Sequence, residues 1–174
     1  RREMYKVLKK KIVSVLVLNQ ANVLTRVVSL FGRRGFNIDS LTVSATNDPT
    51  LSRITIVFSA TERSMQQIIT QTAKLEVVKS IFLLDRENSL YRELLLLKVN
   101  ATSEQRRPIK EIVDIYRGKI IDLSKDSMII ELTGTPEKLD GFMEVMKEHD
   151  IAEVCRTGIT AIESNAVADM DDDM

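Results

Sequence analysis

The stretch Ile12–Leu41, IVSVLVLNQANVLTRVVSLFGRRGFNIDSL, constrains the fold more than any other part of the chain. Val13–Leu18 is almost wholly apolar and rich in valine, which suits a strand buried on both faces. A polar turn follows at Asn19–Asn22. Leu24, Val27, Val28 and Phe31 then recur at i, i+3, i+4 and i+7, the stripe of one helix face. Asn22 is placed to cap that helix and Gly35 to end it, because glycine takes positive φ without a Cβ clash. Such a unit brings polar turn residues and unsatisfied helix amides to the end of a sheet, where a small anion such as an amino-acid carboxylate docks.

The rest of the first half completes a pattern. Ile38–Ala45 alternates, with Leu41, Val43 and Ala45 on one face and Ser40, Thr42 and Ser44 on the other, as in a strand with one wet or partner-facing side. Asn47-Asp48-Pro49 marks a turn. Ile54, Ile56 and Phe58 alternate with Thr55 and Ser59 in a third strand. Thr61 is suited to cap a helix with Met65, Ile68, Ile69 and Leu75 inward, and Val77–Leu84 makes a fourth strand. The order is βαββαβ.

Arg86–Leu90 reads as a linker, after which the order repeats. Leu94–Val99 is a strand, and Pro108 sits just inside a helix start, where its missing N–H costs nothing. Ile109, Ile112, Val113 and Tyr116 face inward on that helix and Gly118 closes it. Ile120–Leu123 and Met128–Thr133 form a hairpin around Lys125-Asp126. Thr135-Pro136 starts a last helix with Leu139, Phe142, Met143 and Met146 buried, and Ile151–Ile162 ends as a strand broken by Gly158. The expectation is an α+β protein of two tandem ferredoxin-like sandwiches, residues 11–85 and 90–162, with flexible ends at 1–10 and 163–174. Domains this small have modest cores and open sheet edges, so pairing into a homodimer is expected.

Composition excludes more than it selects. Lys+Arg and Asp+Glu both number 25, so no global field favours nucleic acid or membrane. Lys9, Lys10 and Lys11, and Asp169, Asp171, Asp172 and Asp173, read as solvated ends. The central strands lack the stacking aromatics and basic residues of an RNA-binding sheet. No apolar run has transmembrane length, and the basic start lacks the apolar region of a signal peptide. The single cysteine, Cys155, fits a reducing compartment and reads as a small buried hydrophobe. The expected location is the cytoplasm, or an organelle of a eukaryote if a transit peptide has been removed. His149, the only histidine, lies at a helix end, a favourable surface position. No zinc spacing and no phosphate-binding glycine loop is present, so no catalytic residue and no metal ligand is expected.

Several segments taken together resemble the regulatory small subunit of acetohydroxyacid synthase, also called acetolactate synthase. They are Leu18–Val27 (LNQANVLTRV), Arg34–Val43 (RGFNIDSLTV) and Asp48–Arg53 (DPTLSR) in the first half. Arg92-Glu93-Leu94, Arg117–Asp122 (RGKIID) and Arg156-Thr157-Gly158 carry it through the second. The resemblance implies that the first half is an ACT domain, which pairs with a second copy and binds an amino-acid effector between the two. It implies a subunit without catalysis of its own, which activates a separate catalytic subunit and confers feedback inhibition by valine in branched-chain amino acid biosynthesis. Thiamine diphosphate, Mg²⁺ and FAD are then expected in that catalytic partner and no cofactor in this chain. The effector site carried over comprises Asn19, Gln20, Ala21, Asn22, Val23 and Leu24 from one protomer, with Asn37 and Ile38 from the other. Valine-sensitive members usually have glycine where this chain has Asn22, whose side chain is able to occupy the pocket or cap the helix. The alternative reading is a free-standing ACT-type amino-acid sensor that acts on another enzyme or on transcription.

Overall fold

The computed structural model describes residues 7–164, which separate into two units: residues 7–90 with 159–164, and Tyr91–Gly158. The first unit has β1 (Lys9–Leu18), α1 (Val23–Arg33), β2 (Ile38–Ala45), β3 (Leu51–Ala60), α2 (Glu62–Ala73) and β4 (Val78–Leu83). Its antiparallel sheet runs β2-β3-β1-β4, so the valine-rich β1 is central and β2 is an edge. Val13, Val15 and Val17 meet Ile54, Ile56 and Phe58 on one face, and Val27, Phe31, Met65 and Ile68 of the helices close over them. Phe31, Phe36 and Phe58 form an edge-on cluster with ring centroids 5.1 to 6.0 Å apart.

Local chemistry sets the ends of these elements. Thr61 caps α2 through a reciprocal box with Ser64, whose N–H donates to Thr61 Oγ1 while Thr61 N–H donates to Ser64 Oγ. Gly35 follows α1 with φ 77, and the amides of Gly35 and Phe36 return to the carbonyls of Gly32 and Phe31. That pair of bonds is a Schellman stop, and Phe36 seals it by packing on Phe31. The inward stripe of α1 is turned from the expected one. Val23, Val27 and Phe31 are buried, whereas Leu24 is 38% exposed. Val27 and Phe31 are common to both sets, and Val23 takes the first inward position in place of Leu24. Leu75, expected on α2, lies two residues past its end yet still packs on the core.

The second unit repeats the topology with β5 (Ser89–Asn100), α3 (Arg106–Ile115), β6 (Lys119–Leu123), β7 (Ser127–Gly134), α4 (Pro136–Met146) and β8 (Asp150–Arg156), in the order β6-β7-β5-β8. Leu95, Leu97 and Val99 of β5 pack with Met128, Ile130 and Leu132 beneath Ile109, Val113, Leu139, Phe142 and Met146. Thr135 caps α4 with Pro136 at its first position. Ser124 N–H donates to Ser127 O at 2.8 Å to close the β6–β7 hairpin. Arg156 binds Glu93 through two bonds of 2.9 and 2.7 Å and Asp140 through a third of 2.7 Å. Glu93 is almost fully buried, and its hydrogen bonds, with Asp140 second among the stabilising partners, raise the Arg156 pKa.

Three boundaries differ from expectation. β5 begins at Ser89, inside the expected linker, because Asn88 N–H closes a short turn onto Asp85 O and the chain re-enters a strand at once. The flexible ends give up residues to strands: β1 starts at Lys9, paired with Ala60, and the final strand β9 (Thr160–Glu163) reaches Glu163. Residues 1–6 and 165–174 of those ends, with the acidic run Asp169–Asp173, lie outside the described residues. Ile151–Ile162 is interrupted at Gly158 as expected, into β8 and β9. At Gly158, φ 83, the chain turns, β9 pairs with β5, and residues from Ile159 on count with the first unit.

Candidate functional site

The candidate site starts at the β1–α1 turn. Leu18 is the last paired residue of β1, opposite Leu51. Asn19 is then tied to the β2–β3 loop twice, its N–H donating to Thr50 O at 2.7 Å and its Nδ2 to Pro49 O at 3.2 Å. That loop is itself built around Asp48, whose Oδ1 accepts from the N–H and the hydroxyl of Thr50 at 2.9 and 2.7 Å. These bonds, the hydroxyl foremost, hold the Asp48 carboxyl below its ordinary pKa.

Asn22 does not cap α1 as expected. Its backbone is left-handed, φ 66 and ψ 0, and its side chain makes no capping bond. An N-cap accepts from the helix amides with its own backbone extended, and the left-handed turn aims the side chain elsewhere. The position therefore has the geometry glycine takes most easily, and asparagine is among the few other residues that tolerate it. Its carbonyl accepts from Arg26 N–H at 3.1 Å, the first bond of the helix. The amides of Val23, Leu24 and Thr25 consequently have no acceptor among the described residues. No acidic side chain stands in the first turn to offset the positive helix end. Asn19, Gln20, Ala21, Asn22 and Leu24 are all exposed there and only Val23 is buried. Leu24 is turned out of the core beside these amides.

Asn37 and Ile38 do not join this cluster within one chain. Ile38 pairs with Phe58, and Phe58 with Lys11, whereas Asn19 follows Leu18 at the far end of β1. Seven strand steps separate Lys11 from Leu18, about 23 Å at 3.3 Å per residue. The two groups thus occupy opposite ends of one sheet. Asn37 is exposed and Ile38 half-buried, at the start of the edge strand β2.

The second unit offers a different feature. A hollow of about 210 Å³ lies on the sheet face opposite α3 and α4, lined by Leu96, Lys98, Ile129, Glu153 and Cys155. Cys155 is exposed there and not buried as expected, because it falls on the outward phase of the edge strand β8, opposite Leu96. Among the described residues, no group of three or more His, Cys, Asp or Glu is placed to hold a metal ion. No helix among them is long and apolar enough to cross a membrane.

Two tandem βαββαβ sandwiches, the first with an unfilled helix start beside its β1–α1 turn, define a protein of the ACT-domain class. Residues 13–80 match the model of the AHAS small subunit-like ACT domain, and residues 92–165 match that of the small subunit of acetolactate synthase. The chain is 44% identical to the acetolactate synthase small subunit of Mycolicibacterium smegmatis, over 86% of this chain and 88% of that one. It is 44% identical to the probable acetolactate synthase small subunit of Archaeoglobus fulgidus, over 88% and 96%. The crystal structure of the acetolactate synthase small subunit from Thermotoga maritima superposes with a TM-score of 0.82 at 39% identity, covering 89% of this chain and 97% of that one. The chain belongs to the acetolactate synthase small-subunit family.

Proposed function

We propose that this chain is the non-catalytic regulatory subunit of an acetohydroxyacid synthase, which activates a separate catalytic subunit and carries branched-chain amino acid feedback, with valine as the effector. Thiamine diphosphate, Mg²⁺ and FAD reside in the catalytic partner, and this chain binds none of them. The observation that carries the reading is similarity to small subunits across both units at once, not across the ACT domain alone. An ACT sensor of another enzyme would need to share only the first.

The effector site is completed by a second copy. β2 is an edge, and a two-fold axis along it pairs β2 with its counterpart antiparallel. That apposition carries the partner's β2 start to the Ala45 end, which is the end where Asn19 and the α1 amides lie. The amides of Val23, Leu24 and Thr25 take the carboxylate, asparagine oxygens take the ammonium, and Leu24 faces the isopropyl group. The test is reconstitution. Adding the chain to a catalytic subunit is expected to raise acetolactate formation, and valine is expected to lower it more than leucine or isoleucine does. No activation would refute the subunit reading. Activation without any amino-acid response would refute the effector site alone.

A further inference from the structure

The edge strand β2 carries two attachments close together. Its start holds Asn37 and Ile38, the residues proposed to touch the effector. Just beyond, Ser40 and Thr42 grip one residue of the returning chain from the face opposite the helices. Ile159 N–H donates to Ser40 Oγ at 3.3 Å, and Thr42 Oγ1 donates to Ile159 O at 3.0 Å. Both backbone groups of a single residue are thus satisfied by two side chains on alternate positions of one strand.

The segment is seated and not merely draped. Val57 and Thr55 are the β3 partners of Ser40 and Thr42, and each is only 3% exposed although it faces away from the helices. Ser14, beside Thr55 on β1, is fully buried and accepts a bond from Arg53. Ile159 and Ala161 are themselves buried. Gly158, with φ 83, is the turn from which the segment departs.

Between the two attachments the β2–β3 register shifts by one residue, at Asp39. A shift of this kind lets a strand re-aim its start without breaking the ladder that follows. An effector that orders Asn37 and Ile38 fixes the register shift, and with it the spacing of Ser40 and Thr42 under Ile159. We propose that Ser40 and Thr42 are positioning residues that couple effector occupancy at the start of β2 to the seating of the Ile159–Glu163 segment, effector tightening the seat. The proposal rests on the effector site described above. Coupling of this kind is reciprocal, so a loosened seat must weaken effector binding by the same factor that effector strengthens the seat.

The experiment uses the full chain. Hydrogen exchange at the Ile159 amide is followed with and without valine, and valine is titrated calorimetrically into wild type, Ser40→Ala, Thr42→Val and Thr42→Ser. Valine is expected to slow exchange at Ile159 about threefold or more. Ser40→Ala and Thr42→Val are expected to weaken valine binding roughly three- to tenfold, the range that one hydrogen bond can carry, while Thr42→Ser, which keeps the hydroxyl, binds as wild type does. A purely structural clip would lower thermal stability in the variants but leave valine affinity and the valine response of Ile159 unmoved, and that result overturns the coupling. The wild-type exchange measurement stands even if a variant fails to fold. Wild type that binds no valine overturns the effector site and the coupling with it, whereas valine binding without a response at Ile159 overturns the coupling alone.

Discussion

The two units share a topology and differ in what they do with the same two places, the start of their first helix and the sheet face turned away from the helices. In the first unit, the start of α1 leaves the amides of Val23, Leu24 and Thr25 without acceptors among the described residues, and the far sheet face receives the backbone of Ile159 on Ser40 and Thr42. In the second, Pro108 at the third position of α3 removes one of the first-turn amides, and Gln105 Oε1 folds back on Thr102 N–H at 3.0 Å. Its far face keeps a hollow edged by Lys98 and Glu153. One fold therefore serves twice. Among the described residues the start of α1 presents three amides without acceptors, and that of α3, shortened by Pro108, presents fewer.

The largest test of this division removes a core ring from one copy at a time. Phe31 joins the rings of Phe36 and Phe58, while the one ring contact of Phe142 among the described residues is Tyr116, at 5.4 Å. Phe31→Ala is expected to cost about 3–5 kcal/mol. Amide exchange should accelerate in β1 and β3 while β5 and β7 keep their protection, and Phe142→Ala should give the reverse. Equal loss in both units from either variant would show that the copies fold as one body and that the division is wrong.

Next in size is the effect of Asn22→Gly on valine binding. The substitution loses no capping bond, since Asn22 makes none, and it relieves a left-handed backbone. Stability should hold or rise by less than about 1 kcal/mol. If the side chain obstructs the carboxylate, valine affinity measured calorimetrically should rise roughly tenfold, the worth of one charge-assisted hydrogen bond. The equivalent change in the second unit, Gln105→Gly, should leave valine affinity where it was. An unchanged affinity in Asn22→Gly would mean that the asparagine already accommodates the ligand.

A smaller contrast concerns two glycines that look interchangeable as a string of letters. Arg34-Gly35-Phe36 and Arg117-Gly118-Lys119 both follow a helix, and both read as glycine stops. Both helices do end in a Schellman pair, but the second is offset by one residue. Gly35 takes the positive φ in α1, whereas Arg117 takes it in α3, φ 58, and Gly118 donates to Val113 O at 2.8 Å from the next position. Gly118 is needed for room: a Cβ there would meet Val113 Cγ1 at 3.1 Å and Glu131 O at 3.2 Å. Gly35→Ala should cost about 1–2 kcal/mol from backbone strain alone, because nothing crowds its Cβ. Gly118→Ala should cost about 1–3 kcal/mol from crowding. Arg117→Gly should rescue nothing in Gly118→Ala but should stabilise the wild-type chain slightly. Thermal melts of the set separate the two mechanisms.

This offset marks the border of what was legible. Features set by neighbours in sequence could be read directly: the Thr61 and Thr135 caps, the hairpin at Lys125-Asp126, and the valine core of β1. Features set by partners far along the chain could not. The break at Gly158 could be read in the sequence, but nothing local announces the grip of Ser40 and Thr42 on Ile159. The Ser/Thr face of β2 was legible as a receiving surface, but not its occupant. Asn22 was misread because an asparagine before a helix fits both a cap and a left-handed turn, and only the backbone decides. Residues of the candidate site were legible through family resemblance, while their division between opposite ends of the sheet needed the register.

The smallest effect tests how the first unit holds Asn19. The second unit ties the residue after β5 in the same way, Ala101 N–H donating to Asp126 O at 2.9 Å, but closes that loop with Ser124 and Ser127 and not with an aspartate side chain. Asp48 accepts two bonds from Thr50, and the same loop presents Pro49 O and Thr50 O to Asn19. The Asp48 pKa is lowered from 3.8 by its bonds to Thr50, hydroxyl first. A carboxyl whose folded pKa is depressed binds fewer protons folded than unfolded in that window, so the unfolded state takes up protons as pH falls. Its contribution is therefore present in full above about pH 3.8 and is lost as pH falls through the lower folded value. Because the group is fully exposed the loss is local. Amide exchange at Asn19, extrapolated against pH, should rise below pH 3.8 in wild type, while the amides of α3 follow their ordinary pH dependence. Asp48→Asn should remove the extra rise and leave Asn19 less protected at neutral pH. If Asn19 behaves the same in both chains, the Asp48 turn does not hold the effector turn in place, and the positioning of Asn19 must come from its β1 ladder alone.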